Sequence, residues 1–127
     1  MNLLKPSKVH LHKESRILEL VVDGDTYQLP AEFLRVHSKS AEVTGHGPGQ
    51  EVLVDGKIHV GIESMKAIGN YGLQIVFDDD HDSGIYSWGY LVELCRSQQD
   101  MWEVYLQRLA DQKKNRDPDT RVIQFFP

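Results

Sequence analysis

The first third of the chain alternates apolar and polar positions with the period of strands. Val9 and Leu11, then Ile17, Leu18, Leu20, Val21 and Val22, form short apolar stretches broken by charged residues. Asp23-Gly24-Asp25 follows, a turn signal because glycine reaches positive φ without steric cost, and Thr26-Tyr27-Gln28-Leu29 reads as the returning strand. Pro30 suits the first turn of a short helix, where its missing N–H costs nothing, and Ala31-Glu32-Phe33-Leu34-Arg35 continues that helix. Residues 37–51 lack periodicity, hold glycines at 45, 47 and 49 and a proline at 48, and predict a long loop. Strand character returns at Val52-Leu53-Val54 and, after an Asp55-Gly56 turn, from Ile58 to Met65.

Gly69-Asn70-Tyr71-Gly72 predicts a further turn ahead of Leu73-Gln74-Ile75-Val76-Phe77, the strongest strand in the chain. Asp78 to Ser83 then forms a charged hairpin tip, and Gly84-Ile85-Tyr86 returns. Ser87 is placed to cap a helix over Trp88 to Cys95. Asp100 with Glu103 resembles a capping box, and Met101, Trp102, Tyr105, Leu106 and Leu109 recur at helical spacing to about Asn115, with Asp117-Pro118 as the stop. Residues 119–127 read as a tail in which Val122-Ile123-Gln124-Phe125-Phe126 is apolar enough to dock. Hairpins followed by helices predict an α+β fold: a mainly antiparallel sheet, a short helix after the second or third strand, and C-terminal helices packed on the sheet.

Composition narrows the function classes. The chain has 127 residues, 40% hydrophobic and 26% charged, which fits one folded domain rather than a disordered segment. No window approaches the roughly 20 apolar residues of a membrane-spanning helix, and the opening residues lack the apolar core of a signal peptide, so a cytoplasmic location is expected. A net charge of -5 argues against broad electrostatic binding to nucleic acid or to an anionic membrane. Cys95 is the single cysteine, which excludes an internal disulfide and any all-cysteine metal site built from this chain alone.

The chemistry-bearing motifs each admit a plain structural reading. Asp78-Asp79-Asp80-His81-Asp82 spaces oxygens like a calcium loop, but Ser83 stands where such a loop needs glycine and Gly89 where it needs a bidentate glutamate. A solvated hairpin end is the favoured reading, with a weak cation or partner contact as the other. Gly45-His46-Gly47-Pro48-Gly49 lacks the Gly-Lys-Ser/Thr and the following helix of a phosphate loop. His10 and His12 share one face of a strand and read as solvated. His12-Lys13-Glu14 is formally the His-x-Glu of an iron facial triad, whose second histidine and eight-stranded barrel have no counterpart here. Cys95 beside Leu94 reads as a small core residue, although Arg96 is placed to lower its pKa. The stripe of Trp88, Trp102, Tyr105 and Leu109 is read as helix packing on the sheet, with a partner surface as the alternative.

Three stretches together resemble a known family: Leu34-Arg35-Val36-His37-Ser38-Lys39-Ser40-Ala41-Glu42-Val43, Gly45-His46-Gly47-Pro48-Gly49, and Val76-Phe77-Asp78-Asp79-Asp80-His81-Asp82-Ser83-Gly84-Ile85-Tyr86-Ser87-Trp88. They are similar to the small bacterial domain-of-unknown-function proteins that look like the N-terminal domain of gamma-butyrobetaine hydroxylase. The resemblance spans about residues 12 to 95, giving a domain at 1–96 and a C-terminal helix and tail at 97–127. In the eukaryotic hydroxylases, that domain precedes an iron- and 2-oxoglutarate-dependent catalytic domain. It holds zinc through a Cys-x-Cys-x-x-Cys run and one later histidine. The resemblance places those cysteines at Ser38, Ser40 and Val43 and the histidine at His81, so three of the four ligands are missing and the family zinc does not carry over.

The catalytic domain has no counterpart here, so the resemblance implies a non-catalytic module. Similar domains are also fused to P-loop ATPases that carry iron–sulfur clusters, which implies an adaptor role toward a protein partner. The expected binding surface is Arg35, His37, His46, Gly47, Asp79, Asp80, His81 and Trp88. No cofactor is expected. The alternative is a small accessory protein that binds zinc or iron through His81 with His37 or His46.

Overall fold

In the computed structural model, which describes residues 5–38, 53–79 and 84–119, two three-stranded antiparallel sheets and three helices share one core. The first sheet orders β1 (Lys8–His12), β2 (Ile17–Val22) and β3 (Asp25–Pro30) as sequential hairpins. Asp23 and Gly24 both take positive φ at the β2–β3 turn, +52° and +84°, the backbone that a two-residue hairpin connection needs. β2 is central, and Leu18, Leu20 and Val22 alternate inward along it. Pro30 ends β3 and caps α1 (Ala31–Val36), all six of whose residues are buried. The Ala31 N–H, which no helical carbonyl serves, donates to Arg16 O at 2.9 Å.

The second sheet orders β4 (Ile62–Ile68), β5 (Gly72–Phe77) and β6 (Gly84–Ser87). Gly72 opens β5 opposite Ser87, and a Cβ there would drive into the Tyr86 carbonyl, so only glycine allows this pairing. The Ser87 hydroxyl accepts from the Tyr90 N–H at 3.1 Å and starts α2 (Trp88–Arg96), as its position predicts. Leu91, Val92, Leu94 and Cys95 of α2 meet Leu18, Leu20 and Leu29 from one sheet and Leu73, Ile75, Phe77 and Tyr86 from the other. The α+β fold of antiparallel hairpins, with a short helix after the third strand, is as expected.

Several local expectations are corrected. Leu53 and Val54 are buried but form no strand: the Val54 carbonyl accepts the Tyr105 hydroxyl at 2.7 Å instead of entering a ladder. Ile58 and His59 lie in a turn, and β4 starts only at Ile62 and runs on to Ile68, beyond Met65. Its start is set where Gly61 and Asp78 pinch together, Gly61 N–H donating to Asp78 Oδ1 at 2.8 Å and Asp78 N–H to Gly61 O at 3.0 Å.

α3 (Gln98–Asp111) follows α2 almost without a break, so Asp100 lies inside its first turn and is not a cap. The helix also ends sooner than Asn115. Lys113 takes φ +55° while its N–H donates to Ala110 O and the Lys114 N–H donates to Leu109 O, a Schellman ending with lysine in the usual glycine place. Tyr105 and Leu109 cover Val36, Leu53 and Val54, Trp102 packs against both that cluster and the main core, and Trp88 packs against the main core. No described helix is long and apolar enough to cross a membrane.

Candidate functional site

α1 is short, and the last four carbonyls of any helix have no partner inside it. Here three of them are met by the residue that caps the helix and by a side chain from β6. The Leu34 carbonyl accepts the Tyr86 hydroxyl, a short bond in the buried interior. The Phe33 carbonyl accepts from the His37 ring, Nδ1 to O 2.8 Å, and the Arg35 carbonyl accepts the His37 N–H. One residue past the helix, the Tyr90 hydroxyl donates to His37 O at 2.6 Å. Burial raises both phenols, Tyr90 to about 12 with help from Glu93, so both remain protonated donors at neutral pH.

The charged residue of α1 is also committed. Arg35 is 2% exposed, and its Nε lies 2.9 Å from Asp79 Oδ2, which also takes the Lys57 ammonium at 2.6 Å. Burial would raise the Asp79 pKa, but the Lys57 hydrogen bond and the Arg35 charge overcome it and hold the carboxylate below its ordinary range. Asp79 is therefore not part of a solvated hairpin end, and Asp78 is spent on Gly61. Buried this way, Arg35 offers little surface of its own and acts by fixing Asp79.

His37 is half-buried between Phe33 and Tyr105, with ring centroids at 4.5 and 6.1 Å. Burial pulls its pKa down, which the Phe33 carbonyl only partly offsets, so the neutral ring is favoured. With Nδ1–H donating to Phe33 O, Nε2 carries the lone pair. Ser38, at the first family cysteine position, is buried with its hydroxyl hydrogen-bonded to Tyr86. Trp88 donates its backbone N–H to Tyr71 O at 3.1 Å and is half-buried. Of the expected surface, Arg35, His37, Asp79 and Trp88 are thus placed, while His46, Gly47, Asp80 and His81, like Ser40 and Val43, lie outside the described residues.

Other candidates resolve into plain roles. Burial outweighs Arg96 and pushes the Cys95 thiol up to about 11, so it is a protonated core residue and no nucleophile. The His10 and His12 rings lie tilted against each other with centroids 4.2 Å apart, and His12 Nε2 bonds Glu19 at 3.0 Å, not Glu14. The sequence reading missed Lys57, Tyr86, Tyr90 and the bidentate pair of Glu32 with Arg116, at 2.7 and 2.8 Å. An arginine on a six-residue helix that is otherwise almost wholly apolar was the one available signal.

Asp79→Asn should cost about 2 kcal/mol in urea unfolding, less than for a wholly buried pair because Asp79 keeps some contact with water. Adding Arg35→Met should recover at least half of that loss. Because the folded carboxyl is held low, its contribution is complete above roughly pH 4 and disappears as pH falls through the folded value, a loss the Asp79→Asn variant should not show.

The sequence profile of the gamma-butyrobetaine hydroxylase-like, N-terminal family matches residues 9–92. No curated protein matches the chain. Two solution structures determined by NMR are similar. One is 47% identical with a TM-score of 0.84, covering 99% of this chain and 100% of that one. The other is 42% identical with a TM-score of 0.75, covering 98% and 94%. A crystal structure of a DUF971-family protein of unknown function from Acidithiobacillus ferrooxidans is 33% identical with a TM-score of 0.58, covering 71% of this chain and 91% of that one. With the α1 ending and the β5–β6 hairpin lying inside the matched span, the chain belongs to the gamma-butyrobetaine hydroxylase-like N-terminal family.

Proposed function

We propose that this protein is a non-catalytic binding module of the cytoplasm that engages a protein partner through the surface around the end of α1. His37 and Asp79 contribute from the described residues, Trp88 stands at the other end of β5 against Tyr71, and His46, Gly47, Asp80 and His81 are the further candidates from the sequence. One observation carries the reading: the groups that catalysis would recruit are braces. Asp79 is shared between Arg35 and Lys57, Tyr86 and Tyr90 are donors to backbone carbonyls, and the His37 ring is tied to Phe33. Such a site is rigid and pre-shaped, which lowers the entropic cost of docking without supplying a general base. In the proteins this family resembles, the domain sits next to an oxygenase or an iron–sulfur ATPase. The partner class favoured here is such a protein met in trans, an inference by analogy.

Affinity capture from cells should retain an iron–sulfur or 2-oxoglutarate-oxygenase protein on the wild type and lose it on a His46→Ala/His81→Ala variant. Absence of a stable interactor, with the variant behaving as wild type, overturns the reading.

A second reading is favoured by one detail. The Phe33 carbonyl fixes the His37 tautomer with Nε2 unprotonated, the arrangement that outer partners impose on metal-ligating histidines. His37 with His81, or His46 with His81, would then hold zinc or iron. Protein purified without a histidine tag should contain near-stoichiometric metal that His81→Ala loses. Substoichiometric metal and a melting temperature indifferent to chelator rule it out.

A further inference from the structure

Far along the chain from the α1 ending, residues 58 and 59 positions apart are brought together by backbone. Gly56 N–H donates to Asn115 O at 2.8 Å and Ile58 N–H to Arg116 O at 3.0 Å, so the segment before β4 is laced to the segment after α3. Arg116 is in turn fixed by its fork onto Glu32 and by its stack over Trp102, 5.0 Å from the ring centroid. Gly56, at φ +70°, lies against Pro118. These contacts anchor the backbone just before His59 and on both sides of Asp117.

From this frame His59, Asp117 and Asp119 converge. Each offers one donor atom, and the three atoms lie within 4.8 Å of one another. His59 Nε2 is 3.7 Å from Asp117 Oδ1, and the Asp119 N–H donates to the same oxygen at 2.9 Å, which limits the rotation of that carboxylate. We propose that His59, Asp117 and Asp119 form a coordination site for a divalent first-row transition ion. Donors at about 2.1 Å from a metal stand about 3.0–3.4 Å apart. The observed spacing therefore needs an inward shift of only about 1 Å, within the reach of side-chain torsions. The donor set is one imidazole and two carboxylates, which selects manganese-to-zinc ions over calcium or magnesium through the nitrogen ligand. Two like-charged carboxylates held this close repel each other, and a dication relieves that repulsion. Three protein ligands leave further positions for water.

The site shares no residue with the surface proposed above, so the two readings stand or fall separately. The competing account is a bare ion pair between protonated His59 and Asp117, which a metal would not strengthen.

Tagless, chelator-treated protein is titrated with Co2+ at pH 7.5 and followed by amide NMR. The amides of residues 57–60 and 115–119 should broaden first, saturating near one equivalent, and Zn2+ should reverse the effect by competition. Zn2+ at tenfold over its Kd should raise Tm by about 5 °C. Asp117→Asn and, separately, His59→Ala should abolish the broadening while the spectrum stays dispersed. Earlier or equal broadening around His10 and His12, or saturation unaffected by both variants, overturns the proposal.

Discussion

A six-residue helix cannot satisfy its own ends, and the way α1 solves this sets the rest of the molecule. Its last-turn carbonyls are reached by Tyr86 from β6 and by the ring of His37, and Tyr90 of α2 closes the carbonyl just beyond. The Tyr86 and Tyr90 bonds cross from one element to another, so they tie the end of α1 to the second sheet and to α2. A buried carbonyl left unmet costs on the order of 1–3 kcal/mol. The donors therefore fix where α1 sits, and α1 fixes where the first sheet meets the second.

Charge follows the same logic at both ends of the helix. Glu32 in the first turn complements the positive end of the helix dipole and receives Arg116. Arg35 in the last turn complements the negative end and receives Asp79. The first pair draws in the chain after α3, and the second draws in the end of β5. The result is a helix tied at both ends to chain segments distant in sequence, with Asp79 held beside its last turn.

Much of this was legible in the residues. The turn at Asp23-Gly24, the cap at Ser87, the buried alternation of β2 and the helical period of Trp102, Tyr105 and Leu109 are local signals, and local signals survive folding. The misreadings have a common cause. Val54 carries a strand residue type, yet its carbonyl is claimed by Tyr105 from a distant helix, and apolar pattern alone cannot distinguish a ladder partner from a side-chain donor. Asp79 looks like solvated charge until Arg35, 44 positions away, is placed beside it. The convergence of His59 with Asp117 is likewise set by backbone pairing between segments that share no spacing motif. Composition also hides the tyrosines' work, because a buried phenol and a surface phenol are the same letter.

The most direct test of α1 as the element that joins the two sheets is the unfolding free energy of Tyr86→Phe, measured in urea with amide exchange followed in parallel. The ring still fills its place, so what is lost is the hydroxyl's bond to the Leu34 carbonyl together with its contact to the Ser38 hydroxyl. The account predicts a loss of about 1–2 kcal/mol at unchanged m, with faster exchange concentrated in α1 and the residues it braces. An unchanged midpoint, with exchange in α1 as slow as in the wild type, would contradict it.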